Sequence, residues 1–169
     1  QYNIAVALDR GDGIQPNLAQ AVMWYQRAAN AGNAEAQSNL AVLYLTGRGV
    51  ERNEFRGFQL TEAAAAQGYA PAQDNLARIY REGIGRTQNL QTAFEWQVKS
   101  AQKGHPQALL NLGATYEYGV GVQQSAALAY IMYRLADKMG VAKAKEGLTR
   151  LSIKLSEPQV SQAERIISR

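Results

Sequence analysis

A period of 36 residues runs through this chain without a slip. Gly11, Gly47, Gly83 and Gly119 are 36 apart, and so are Gly13, Gly49, Gly85 and Gly121, and again Gly32, Gly68, Gly104 and Gly140. The apolar positions Ile4, Leu40, Leu76, Leu112 and Leu148 keep the same interval. A fixed period of this length belongs to stacked repeats, in which each unit buries its apolar face only against its neighbours. A stacked array supplies a surface rather than an enclosed catalytic cavity, so the period points to a binding role.

One unit shows how the pattern is built. Ala34 to Thr46 reads as a helix, with Ala36, Leu40, Leu43 and Tyr44 on one face. Gly47-Arg48-Gly49-Val50 stops it, because glycine reaches left-handed dihedrals at little cost. Asn53 is placed to cap a second helix that runs to about Gln67. Gly68 closes the unit, and Ala70-Pro71 opens the next with proline in the first turn. Asn17, Asn53, Asn89 and Ser125 share the cap position. The expected fold is all-α: a right-handed α/α superhelical solenoid of about four helix-turn-helix repeats with a C-terminal capping helix. Its repeats span 1–32, 33–68, 69–104 and 105–140, and 141–169 form a degenerate repeat and capping helices.

Both ends depart from the pattern. Gln1 aligns with Gln37 and Gln73, which lie inside a helix, so the native polypeptide is expected to extend upstream. In the fifth unit Ser152 replaces the tyrosine and Leu155 the loop glycine, and its helix is expected to run to about Leu155. Ser156-Glu157-Pro158-Gln159 is then a helix start. Val160, Ala163, Ile166 and Ile167 would form the apolar face that covers the last repeat.

Packing is written in the same frame. Ala21, Gly57, Ala93 and Ala129 align, as do Ala28, Ala64, Ser100 and Ala136, and their small size lets the second helix approach the first. Trp24, Leu60, Trp96 and Met132, with Tyr44, Tyr80 and Tyr116, are expected to fill the space between units, each aromatic burying roughly 150–250 Å². A 46% hydrophobic content and only four prolines fit packed helices. Eighteen basic against 14 acidic residues leave a net charge of +4 with no block of one sign, which does not point to nucleic acid or a membrane surface. The absence of cysteine removes disulfides, thiolate metal sites and cysteine nucleophiles. No apolar stretch nears the ~20 residues a transmembrane helix needs.

The runs Ala36-Gln37-Ser38-Asn39-Leu40-Ala41 with Tyr44 and Gly47-Arg48-Gly49-Val50, and Ala108 with Asn111-Leu112-Gly113, Tyr116 and Gly119-Val120-Gly121-Val122, carry a family resemblance. Ala19-Gln20-Ala21-Val22-Met23-Trp24-Tyr25-Gln26-Arg27-Ala28-Ala29 adds the second helix. Together they resemble the Sel1-like repeat family, a relative of the tetratricopeptide repeats, over about residues 1 to 150. Phe58-Gln59-Leu60 departs from the usual tryptophan stretch, and Arg86 replaces the loop valine. The resemblance implies an adaptor, most often bacterial, that holds another protein or peptide in a superhelical groove. It implies no shared catalytic activity and no cofactor. A periplasmic or secreted setting is favoured slightly over a cytoplasmic one.

Asn3, Asn39, Asn75 and Asn111 form a ladder on the first helices. An amide both donates and accepts, which suits the main chain of an extended peptide. The alternative is that the ladder satisfies backbone groups between repeats. Three and six residues further on stand Val42 and Leu45, then Arg78 and Arg81, then Ala114 and Glu117, so a groove there would be apolar, basic and mixed in turn. Guanidinium forks at Arg48, Arg78 and Arg81 suit carboxylates on a partner, against the alternative of an ordinary solvated face. Among Tyr116, Tyr118, Tyr130 and Tyr133, an aromatic patch near the third loop, Tyr116 reads as core and Tyr118 as the contact residue. The expected partner-binding set on the concave face is Asn39, Val42, Asn75, Arg78, Arg81, Asn111 and Tyr118.

Nothing in the chain reads as catalytic or metal-binding. The glycine loops lack a preceding strand and a following lysine, so they are helix ends rather than phosphate cradles. His105, the single histidine, sits in a turn with no second ligand. Asp9 with Asp12, and Glu51 with Glu54, read as solvated loop or cap charges rather than acid–base pairs. Lys138, Lys143, Lys145, Arg150 and Lys154 read as a solvated face, with an acidic partner or anionic lipid as the alternative. The expected function is a protein–protein interaction scaffold and not an enzyme. The alternatives are a bacterial immunity or inhibitor protein that neutralises a secreted toxin or enzyme by direct binding, and a peptidoglycan-associated module.

Overall fold

The computed structural model describes residues 1–168, and over them every regular element is an α-helix. The first helices of successive repeats are α1 (Tyr2–Arg10), α3 (Ala34–Thr46), α5 (Ala70–Glu82) and α7 (Pro106–Tyr118). The second helices are α2 (Leu18–Asn30), α4 (Glu54–Ala66), α6 (Leu90–Gln102) and α8 (Ala126–Lys138), followed by α9 (Ala144–Ser152) and α10 (Glu157–Ile167). This is the all-α repeat fold of the solenoid class. The chain divides into two compact units, Gln1–Gln88 and Asn89–Arg169. In the first, α1 packs on α2, α2 on α3, α3 on α4 and α4 on α5; in the second, α6 packs on α7, α7 on α8 and α8 on α9, and α10 folds back onto α8.

Local chemistry sets the helix boundaries. The side chains of Asn17, Asn53 and Asn89 accept the N–H of Gln20, Arg56 and Thr92 at 2.9–3.0 Å, and Ser125 accepts that of Leu128 at 3.3 Å. Each such cap contributes about 1 kcal/mol. His105 is also a cap, since its Nδ1 accepts the Ala108 N–H at 3.3 Å and starts α7. At the other end, Gly47, Gly83 and Gly119 terminate α3, α5 and α7 in the left-handed region. The second glycine of each loop makes a close approach. A Cβ on Gly49 would lie 2.7 Å from the Leu18 Cβ at the start of α2, and Gly121 meets Leu90 of α6 in the same way.

Each unit has its own core. In the first, Ala5, Ala21, Ala36, Leu40 and Leu43 surround Tyr25, which is 1% exposed. In the second, Leu109, Ala129, Ala136, Ala144 and Leu151 surround Tyr133. Trp24 packs against the first core from its margin, as do Tyr44 and Leu60, but the tryptophans are not the enclosed residues. Trp24 and Trp96 are half-buried and carry Arg27 and Lys99 over their rings at 4.8 and 4.0 Å. The inward face of α2 runs through Ala21, Tyr25 and Ala28, at i, i+4 and i+7, so the residue after the tryptophan is the enclosed one.

The C-terminal segment differs from expectation in two ways. Helix α9 ends at Ser152 rather than about Leu155, and Ile153 is 88% exposed. The Ser152 hydroxyl donates to the Thr149 carbonyl at 2.7 Å, a local bond that competes with helix propagation. Leu155 turns back to pack on the second core. In α10, Gln159 accepts the Ser156 N–H at 2.9 Å as the start motif requires, but only Ala163 of its apolar face is buried and Ile166 is exposed. Polar bonds complete the seat of α10 on α8: the Glu164 carboxylate accepts from Arg134 Nε at 2.6 Å and from the Tyr130 hydroxyl at 2.9 Å.

Candidate partner-binding cleft

Helices α1, α2 and α3 bring Asp9, Tyr25 and Asn39 around one opening in the first unit. The cleft has a volume of about 290 Å³ and is also lined by Arg10, Val42, Leu43 and Arg48. The Tyr25 hydroxyl donates to Asp9 Oδ2 at 3.4 Å, and Asn39 Nδ2 donates to the hydroxyl oxygens of Tyr25 and Tyr2 at 3.3 and 3.4 Å. From the loop after α3, Arg48 Nη2 reaches Asp9 Oδ1 at 2.6 Å while half of its side chain stays exposed. Burial, and then the negative charge of Asp9, push the Tyr25 phenol up to about 12, so it is a neutral hydroxyl at physiological pH. The cleft thus offers an amide, a phenol, an ion pair and an apolar wall: groups that recognise polar peptide surface.

The predicted binding residues distribute as follows. Asn39 and Val42 share this cleft, together with Arg48. Asn39 bonds tyrosine hydroxyls, not the inter-repeat backbone. Asn75, Arg78 and Arg81 lie on α5; both arginines approach Glu82, at 3.4 and 3.3 Å, and remain half-exposed. In the second unit Asn111 is half-buried and accepts from Gln107 at 3.2 Å, and Tyr118 is 61% exposed.

Several other expectations are corrected. Glu117, read as a groove position, is buried at 2% exposure. Its carboxylate accepts from the Tyr133 hydroxyl at 2.7 Å and from Arg150 Nε and Nη2 at 3.0 and 2.9 Å. Tyr133 therefore leaves the aromatic patch, and Arg150, though still exposed, is held by an ion pair rather than free on the basic face. Asp9 is not a loop carboxylate, since it belongs to α1, whereas Glu54 is a cap charge that opens α4, with its Oε2 accepting the Gly85 N–H at 3.1 Å. Glutamines 37 and 73 donate to the Ala29 and Ala65 carbonyls, both at 3.2 Å, and tie each first helix to the preceding second helix.

Asp9 and Tyr25 stand three periods before Glu117 and Tyr133. The same tyrosine–carboxylate–arginine triad is built twice, open at Asp9 and closed at Glu117. In the second unit α9 supplies the arginine, and Gly147 stands where the asparagine ladder would have its next rung. Without a side chain there, α9 seats directly on the Tyr133 ring and seals the triad. The shared register of the two tyrosines and the two carboxylates was a readable signal for this pairing. Among the described residues no group of three His, Asp or Glu side chains is placed to hold a metal ion, and no helix is long and apolar enough to cross a membrane.

The Sel1 repeat family pattern matches residues 1–33, 34–69, 70–105 and 106–141. The chain is similar to a Sel1 repeat protein from Oxalobacter formigenes, with 31% identity and a TM-score of 0.76 over 87% of this chain and 60% of that one. It is also similar to c5321, described as a protective antigen present in uropathogenic Escherichia coli strains, with 25% identity and a TM-score of 0.66 over 98% of this chain and 44% of that one. The chain thus spans 60% and 44% of the length of these two proteins. No curated protein matches it. With four consecutive units matched over residues 1–141, the chain belongs to the Sel1 repeat family.

Proposed function

We propose that the chain is a protein-interaction scaffold whose first unit holds a partner protein or peptide at the Asp9–Tyr25–Asn39–Arg48 cleft. Sel1 repeats generally mediate protein–protein interaction, and the family is typically non-enzymatic. The observation that carries this reading is the contrast between the two triads. At Glu117 the polar groups are consumed by contacts within the chain. At Asp9 the equivalent groups line an open cleft beside Val42, with the Arg48 side chain 53% exposed. Arg78 and Arg81, held only loosely to Glu82, add positive charge for acidic groups of the partner.

The test is affinity capture from a lysate of the source organism with the native chain and with a triple variant, Asn39→Ala, Arg48→Ala and Arg78→Ala. Recovery of a partner by the native chain and its loss with the triple variant, at unchanged helical circular dichroism, supports the cleft. Equal recovery by both overturns it. The inhibitor alternative adds one requirement: the recovered partner loses its own activity when the chain is added. No residue in the structure favours that alternative or the peptidoglycan-associated one.

A further inference from the structure

The loop residue that follows the second glycine is apolar in three of the four repeats: Ile14, Val50 and Val122. In the third repeat it is Arg86. Val50 packs against the first core, as an apolar plug should. Arg86 occupies the plug position with a charged group. Its guanidinium carbon lies 3.7 Å from the centre of the Tyr80 ring and 4.5 Å from that of Phe58, and the two rings meet edge to face at 6.3 Å. Two aromatic rings therefore hold the guanidinium by cation–π contact and fix its plane.

That arrangement leaves the charge without a counterion. Among the described residues no carboxylate pairs with Arg86, and its Nε is buried with no hydrogen-bond partner. The residue as a whole is half-buried, and neither terminal nitrogen is among the buried unpartnered atoms. A buried donor left unpaired is costly, and cation–π contact offsets only part of the cost. An apolar plug avoids the cost, as Val50 shows. The remaining feature of Arg86 is a pre-oriented pair of terminal N–H edges above an aromatic floor.

We infer that Arg86, braced on Tyr80 and Phe58, is a recognition site for a carboxylate on an acidic segment of a bound protein or peptide. Two parallel N–H donors on one edge match the two oxygens of a planar carboxylate, and the rings provide a surface for its methylene stem. The single charge fits a carboxylate better than a phosphate dianion, which draws on several donors. This inference rests on the scaffold reading for the kind of partner but uses residues apart from the Asp9 cleft.

The test is a titration of the ¹⁵N-labelled chain with N-acetyl-Glu-Glu-Glu-amide, followed at the Arg86 Nε–H and the Gly85 and Thr87 amides. Parallel arms use N-acetyl-Gln-Gln-Gln-amide and inorganic phosphate. Saturable shifts with the glutamate peptide alone are expected. Arg86→Lys should weaken binding roughly tenfold through loss of the second donor, and Arg86→Val should abolish it. Because valine fills the equivalent position in two other repeats, Arg86→Val should melt at or above the native temperature, so loss of binding is not loss of fold. The inference is overturned if the glutamate peptide gives no saturable shift, if Arg86→Val still saturates, or if the glutamine peptide or phosphate binds as well. The Asn39, Arg48 and Arg78 triple variant should leave this titration unchanged, which separates failure here from failure of the cleft.

Discussion

Arg150 grips Glu117 with two guanidinium nitrogens, Nε to Oε1 at 3.0 Å and Nη2 to Oε2 at 2.9 Å, across 33 residues of sequence. The carboxylate is enclosed while the arginine side chain is 45% exposed. One partner has been taken out of water and the other has not, so the pair is asymmetric. The Tyr133 hydroxyl supplies a further donor and completes the compensation that a buried charge needs.

Arg150→Ala should therefore destabilise the second unit by about 2–3 kcal/mol, less than for a fully buried pair because Arg150 is already half-solvated. Glu117→Gln added to Arg150→Ala should recover part of that loss, since a neutral amide tolerates burial better than an orphaned carboxylate. Urea unfolding of the single and double variants measures both. An unchanged midpoint for Arg150→Ala would remove the pair from the energetics of the fold.

Acid should release the C-terminal helices. The Arg150 hydrogen bonds hold the Glu117 carboxyl below its ordinary value of 4.5, and Arg134 does the same for Glu164 on α10. The unfolded chain binds these protons first as pH falls. The stabilisation is thus fully present above the ordinary carboxylate range and is lost as pH drops through the lower folded values. Thermal melts from pH 7 to pH 3 should show falling stability below about pH 5, with a shallower slope in a Glu117→Gln, Glu164→Gln double variant. A slope identical to that of the native chain would count against both pairs.

In alkali the two enclosed tyrosines should ionise last. Burial raises both phenols, Tyr25 to about 12, and a neighbouring carboxylate adds to each shift. A phenol whose folded value lies above its unfolded value of 10.0 costs stability once pH exceeds the unfolded one. Tyrosinate absorbance should rise in two stages, the second coinciding with loss of helical circular dichroism. Replacing Tyr25 and Tyr133 with phenylalanine should remove part of the second stage.

Tyr133 also depends on two absent side chains. A Cβ at Gly113 would lie 2.6 Å from Tyr133 Cδ1, and one at Gly147 would lie 2.6 Å from Cδ2 and Cζ on the other edge of the ring. Gly113→Ala and Gly147→Ala should each cost about 1–3 kcal/mol by overpacking. Both penalties should shrink in a Tyr133→Leu background, a non-additivity that a double-mutant cycle on thermal stability detects.

The 36-residue period, the helix boundaries and the caps at Asn17, Asn53, Asn89 and Ser125 were legible in the linear order of residues. They depend on interactions within one turn of chain: hydrogen bonds three residues apart, glycine dihedrals and the 3.6-residue face. Asn39 and Val42 were legible as neighbours for the same reason, being one turn apart on α3. Arg150 as the partner of Glu117, and Asn39 as a donor to Tyr25, were not, because no local rule joins residues that far apart in sequence.

By itself, then, the sequence determined the repeat architecture, its register and membership of its family, because these follow from short-range periodicity copied along the chain. Tertiary structure alone decided which ring is sealed in each core, which carboxylate is buried and which stays open, and where a guanidinium is left unpaired. Desolvation and charge pairing depend on what lies across the interface, and identical register positions acquire different partners there.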